Sequence, residues 1–249
     1  MKRKPIIALA QIVYFDTEEK HNVVKIKKYI ALAKKKNADI ICFPETCIHK
    51  TDYMTFSHKL MKEIQEACRE NSIWCIVTDS FIEKNEPYKV AVLIDRKGRI
   101  AGKYKKINLY DDYVKPGKRI GVFKTDFAKI GIAICWDLAF PELFANMRKQ
   151  GAQIVFCPSK WCYEEEAYNK AHKKMELHLL RSLLISRSFE NLFFVALCNP
   201  LTKSKDLISY SAIASPHRIL KEIINEEGLI IAELNLNELK KFRKIYPNK

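Results

Sequence analysis

Short apolar runs alternate with amphipathic stretches along most of this chain. Residues 5–13 are apolar at every position but Gln11, the pattern of a strand covered on both faces. Thr17, followed by Glu18 and Glu19, then reads as the N-cap and acidic first turn of a helix. Val23, Val24, Ile26, Ile30, Leu32 and Ala33 form that helix's apolar face, with lysines opposite. The same alternation predicts a buried strand over 40–43, a helix opened by Ser57, and a strand over 73–77. Residues 88–94 and 99–104 read as a hairpin turning at Asp95–Gly98, and 121–125 and 129–134 flank a second tight turn. Pro141 starts a helix to Gln150, a strand follows over 153–158, a long helix over roughly 167–191, and a strand over 192–198. Antiparallel strands over 210–215, 219–224 and 228–234 precede a short terminal helix.

No stretch rich in Pro, Gly or Ser divides the chain, and no repeat is visible. Residues 1–249 therefore read as one α/β domain with mixed sheets, two sheets packed face to face and helices outside. Hydrophobic content of 48% beside 29% charged residues fits a soluble globular protein. The formal charge of +15 invites a nucleic-acid reading. The lysines, however, spread over helix faces and both tails, so a solvated surface is expected instead. No apolar run is long enough to span a bilayer, and no signal peptide is expected from the N-terminal pattern.

Eight cysteines occur without a Cys-x-x-Cys pair, and the six histidines show no zinc-type spacing, so no metal site is expected. Cys42, Cys75, Cys157 and Cys198 sit inside apolar runs, where a thiol packs as a small hydrophobe. That many unpaired thiols point to a reducing, cytoplasmic location.

Cys135 differs from these. It ends the apolar run Lys129 to Ile134, and the chain turns at once through Trp136-Asp137-Leu138 toward Pro141. Glu45 ends another apolar run, and lysines at 103, 105 and 106 follow a third. A free thiol near pKa 8.5 is only a few per cent ionised at neutral pH, so a nucleophilic cysteine needs help. The chain offers Glu45 as a base, a lysine of 103–106 as a cation, and the helix begun by Pro141. No histidine lies at a strand end beside this segment.

The residues that carry chemistry also carry a resemblance. Phe43-Pro44-Glu45, Tyr104-Lys105-Lys106-Ile107-Asn108-Leu109 and Ile134-Cys135-Trp136-Asp137-Leu138-Ala139-Phe140-Pro141-Glu142 are similar to the three catalytic motifs of the carbon–nitrogen hydrolases of the nitrilase superfamily. Residues 151–161, 187–191 and 211–216 extend the likeness over essentially the full length. The resemblance implies an α-β-β-α sandwich, often joined into a homodimer or larger homo-oligomer. It implies a catalytic set of Glu45, Lys106 and Cys135, no cofactor, and a small-molecule amide substrate. Glu45 moves the proton, Cys135 attacks, and Lys106 with the N–H of Trp136 holds the oxyanion. Trp161 and Tyr53 are candidate pocket walls, and Glu142 and Asp137 candidate braces of the nucleophile loop.

Departures from the family pattern are Asn108 where histidine is usual, Lys105 where arginine is usual, and Tyr210 and Arg218 where glycine is common. Asp111 or Asp112 stands where many members carry a second glutamate, and Asp112 is the candidate substrate contact. The expected activity is hydrolysis of a small amide or carbamoyl compound through a cysteine thioester. A nitrile substrate for the same residues is the alternative within the class. A catalytically silent basic binding protein is the alternative outside it. Acyl transfer to lipoproteins, known in a related member, needs membrane spans that this pattern lacks.

Overall fold

The computed structural model describes residues 4–14, 20–50, 53–110, 113–163, 170–202 and 207–246. Asp111, Asp112 and Thr17–Glu19 lie outside the described residues, so the expectations placed on them do too.

The strands form two six-stranded sheets. The first holds β1 (Ile6–Gln11), β2 (Ile40–Cys42), β3 (Trp74–Glu83), β4 (Glu86–Ile94) and β5 (Ile100–Lys105), with β12 (Gly228–Glu233) on its outer edge beside β1. The second runs from β6 (Gly121–Lys124) through β7 (Lys129–Ile132), β8 (Ile154–Pro158), β9 (Phe194–Cys198) and β10 (Tyr210–Ser215) to β11 (Arg218–Ile224). Each is built to one plan. Three neighbouring parallel strands, β1-β2-β3 or β7-β8-β9, continue into two antiparallel ones and carry one antiparallel strand on the opposite side.

Alternation within the first sheet assigns its two faces. Ile7, Leu9, Ile40, Cys42, Ile76 and Leu93 pack toward the second sheet, in one core with Ile130, Ile132 and Phe156. Their neighbours Ala8, Ala10, Ile41, Cys75, Val77 and Val92 pack with residues of α1 (Val23–Lys35) and α2 (Lys59–Asn71). Period-two exchange of faces is why these strands read as continuous apolar runs: both sides are covered. α3 (Pro141–Lys149) and the long α4 (Lys170–Asn191) supply buried residues to the core of the second sheet, among them Phe144, Met147, Leu180 and Leu184. The order of layers is α-β-β-α, as expected from the sequence.

Three elements differ from expectation. His58, not Ser57, caps α2, its Nδ1 accepting from Leu60 N at 3.3 Å. β3 runs to Glu83 and pairs with all of β4 through a turn at Lys84 and Asn85, both with positive φ. The polar residues Thr78, Asp79 and Ser80 hid that extension. β12 does not extend the β10–β11 hairpin but crosses to pair with β1 in the other sheet. α5 (Leu236–Ile245) follows it.

Candidate active site

Glu45 follows β2, Lys106 follows β5 and Cys135 follows β7, so three strand ends from two sheets meet at one place. Backbone pairing holds them. Glu45 N donates to Ser159 O at 3.1 Å, linking the end of β2 to the residue after β8 in the opposite sheet. Lys106 N donates to Lys89 O at 2.9 Å, and Gly117 N to Lys106 O at 2.7 Å.

The chain turns sharply at the thiol. Cys135 has a φ of 47°, in the left-handed region that costs a residue with a Cβ, and it begins a five-residue 3₁₀ turn, Cys135–Ala139. Asp137, fully buried, fixes this turn. Its Oδ2 accepts from Ile134 N (2.9 Å) and the Tyr104 hydroxyl (2.7 Å), and its Oδ1 from Asn108 N (2.8 Å) and Asn108 Nδ2 (3.0 Å). One carboxylate thereby ties the Cys135 turn to the end of β5. Asn108, the departure from the family's histidine, supplies two of its four donors. Asp137 is the brace expected from the sequence. Glu142 is not: it stands exposed in the first turn of α3. The helix begun at Pro141 is also separated from the thiol by the 3₁₀ turn, so its N-terminus does not supply the activation anticipated for it.

Glu45, Lys106 and Cys135 are 4, 3 and 8% exposed, so their charges interact with little screening by water. Lys106 Nζ donates to Glu45 Oε1 at 3.1 Å, and the Cys135 thiol is hydrogen-bonded to the same carboxylate. Burial pushes the Glu45 pKa up, but Lys106 and Lys89 overcome this, and the net direction is down. The carboxylate is shielded from water, and two ammonium groups outweigh that burial. Burial acts against the charge of Lys106 as well, yet the Glu45 carboxylate raises its pKa overall. Cys135 is pushed up to about 12, first by burial and then by the Glu45 charge, with Lys106 acting in the opposite sense. The resting site thus holds a neutral thiol beside an ammonium–carboxylate pair.

These three groups open into a cavity of about 310 Å³, walled on one side by Tyr110, Trp136 and Trp161. The Trp136 ring lies 5.5 Å from Tyr110 and 5.6 Å from Trp161, centroid to centroid. Trp161 is anchored by Nε1 to Glu176 Oε1 at 2.8 Å and by its N–H to Asn199 Oδ1 at 2.9 Å. Tyr53 is not in this wall. It lines an adjoining recess that shares Thr46, Lys89 and Lys160 with the main cavity.

Lys89 is the residue sequence reasoning missed. It is 4% exposed and lines the cavity, its Nζ donating to Thr46 Oγ1 (2.9 Å) and Ser80 Oγ (2.8 Å). The signal was a lysine inside the otherwise apolar strand run 88–94. Buried charges of that kind are rare unless something holds them.

Comparison with known proteins follows the same geometry. The family model described as carbon–nitrogen hydrolase matches residues 6–244. A 2-oxoglutaramate amidase of Bacillus subtilis (strain 168) is 26% identical over 90% of this chain and 88% of that protein. The omega-amidase NIT3 of Saccharomyces cerevisiae is 24% identical over 99% and 92%. The crystal structure of a carbon–nitrogen hydrolase from Helicobacter pylori G27 superposes with a TM-score of 0.86 at 18% identity, covering 98% of this chain and 93% of that one, and so shares its fold.

Proposed function

The chain belongs to the carbon–nitrogen hydrolase family, and from that premise we propose that it hydrolyses a small amide through a thioester on Cys135, releasing ammonia or an amine. The observation that carries this reading is a neutral thiol, a carboxylate and an ammonium group meeting in one buried pocket.

Burial and the Glu45 charge push the Cys135 thiol up, so the neutral thiol is the resting form. The proton then leaves as the S–C bond forms. Glu45, already hydrogen-bonded to the thiol and held ionised, is the base for that transfer. As Cys135 Sγ bonds to the carbonyl carbon, the carbonyl π electrons move to oxygen, where the Lys106 ammonium and the Trp136 N–H stabilise them. The tetrahedral species collapses, the C–N bond breaks, and Glu45 returns its proton to the departing nitrogen. Water then gives a proton to Glu45 and its oxygen to the acyl carbon. The carboxylic acid leaves and the thiol is restored.

The cavity sets the substrate's size, and its cations set its preference. Lys89 and Lys160 line the recess beyond the acyl position, which supports an ω-amide whose far end carries a carboxylate. The relatives' names, 2-oxoglutaramate amidase and omega-amidase, support the same choice. The rest of the reading is one domain over residues 1–249, a homo-oligomer as the family resemblance implies, and a reducing cytoplasmic location supported by the eight unbridged thiols. Among the described residues no helix is long and apolar enough to cross a membrane.

The test is ammonia release across carboxylated ω-amides, neutral amides, carbamoyl amines and nitriles, with Cys135→Ala alongside. Expected are turnover of an ω-amide, none by the variant, and an acyl adduct on Cys135 of the wild type in acid-quenched turnover samples by mass spectrometry. Turnover that survives Cys135→Ala, or no turnover of any compound, overturns the assignment.

A further inference from the structure

A second cleft, of about 650 Å³, opens where α1 and α2 both begin, away from Cys135. Lys20, Lys25, Lys28 and Lys59 line it. Among the described residues the one carboxylate in its wall is Glu227, which already accepts from Val13 N at 3.2 Å and lies 3.8 Å from Lys25 Nζ. The described lining therefore has a surplus of positive charge.

The backbone adds to it. Each helix is 13 residues long, and neither has an acidic residue in its first turn. Val24 and Lys25 from the first turn of α1, and Lys59 and Leu60 from that of α2, line the cleft. Leu60 N is taken by the His58 Nδ1 cap, while the other N–H groups of the first turns and the positive ends of the dipoles collect at these termini.

An independent observation comes from Asn22. It occupies the N-cap position of α1, where asparagine ordinarily accepts from a first-turn N–H, but its side chain makes no capping bond. It lines the cleft at 1% exposure, and both Oδ1 and Nδ2 lack a hydrogen-bond partner among the described residues. His21 Nδ1 beside it is likewise buried and unpartnered among them. A buried amide with neither end satisfied is costly, and natural sites of this kind hold a ligand or ordered water.

We infer that this cleft binds a small phosphate-type oxyanion. Its oxygens accept from the lysines and from Asn22 Nδ2, and a P–OH group donates to Asn22 Oδ1, so one group answers both unsatisfied atoms. The volume lies in the range of small-molecule sites and admits either the inorganic anion or a phosphate ester. One wall is the loop that follows Glu45, joined to this region by Asn22 N to Ile48 O and Lys50 N to Lys20 O, both 3.0 Å. An occupant would therefore lean on the segment that carries Glu45.

The experiment is titration calorimetry and thermal melting of the full chain with pyrophosphate and with ADP, adenosine serving as the uncharged control. Expected is saturable 1:1 binding of pyrophosphate, a Tm that rises with its concentration, and no response to adenosine. Equal affinities assign recognition to the phosphate alone, and tighter ADP binding assigns it to an ester; either supports the site. The exposed-lysine variant Lys28→Glu/Lys59→Glu should weaken binding at least about tenfold. Asn22→Leu should raise the Tm of the ligand-free protein and remove the ligand-dependent rise. Absence of saturable binding at millimolar ligand, or binding unchanged in the double lysine variant, overturns the inference.

Discussion

Cys135 is held in a backbone conformation that a side chain disfavours, and Thr46, directly after Glu45, has a φ of 53°. Left-handed residues of this kind cost on the order of 1–3 kcal/mol each and persist where their surroundings hold them. At the same scale, the proposed mechanism gives Lys106 two separable duties. As an oxyanion donor its loss in Lys106→Met should lower kcat by about 10²–10³, measured by ammonia release. As Glu45's nearest cation it also sets where that carboxylate titrates. In the wild type the acid limb of kcat/KM should fall below the ordinary carboxylate range, because the Glu45 pKa is lowered. In Lys106→Met the largest lowering influence is gone, burial is less opposed, and the limb should move to higher pH. An unmoved limb would assign it to another group. Glu45, Cys135 and a lysine among 103–106 stood out in the sequence because they end or follow apolar runs and their chemistries complement one another, and the family resemblance singled out Lys106. The direction of the Glu45 shift was not legible: it depends on Lys89, which reaches the site from the middle of β4 and belongs to no motif.

At the scale of elements, Lys106, the oxyanion donor of the proposed mechanism, is placed by what packs on the end of β5. Gly117 lies so close to that strand that an added Cβ would stand 2.2 Å from the Lys105 carbonyl oxygen. Gly117→Ala should therefore push the Lys105–Lys106 backbone aside, lowering kcat more than tenfold, about the loss expected from a misplacement near 1 Å. Far-ultraviolet dichroism should stay native. On the other side of the same strand end, Asp137→Asn keeps the shape but turns an NH₂ group toward hydrogen-bond donors. A loss of about 1–3 kcal/mol in a urea melt, with reduced kcat, is expected from the buried groups left unpaired. Hairpins and β-α units were readable from periodicity. The length of β3 was not, because Thr78 and Asp79 look like loop residues until burial is known. Asp79 is paired: its carboxylate accepts from the N–H groups of Ile48, His49 and Ser80.

For the whole molecule, acid should act in opposing ways. The pKa values of Glu45, Glu83 and Asp95 are depressed, Glu83 to about 2 by its contacts with Lys105 and Lys103. Their stabilisation is present above the unfolded carboxylate pKa and is lost as pH falls through each folded value. Asp79 and Asp137 are raised by burial, so their protonation comes earlier on the way down and favours the folded chain. Calorimetric Tm should therefore change little from pH 6 to about 4.5 and then drop steeply. A steady fall from pH 6 would contradict the assignment of Asp79 and Asp137. Layer order was foreseeable from doubly covered strands. The destination of β12 was not, since nothing local in residues 228–233 says which sheet they complete.

That destination has a consequence during synthesis. β1 leaves the ribosome long before its outer partner β12, and Lys4 meets Glu233 across 229 positions. At about 5–20 residues per second the open edge of β1 waits roughly 10–45 s for its partner. Throughout that interval a newly made apolar strand is available to neighbouring nascent chains, so crowding on one messenger, rather than the stability of the finished protein, should limit its yield.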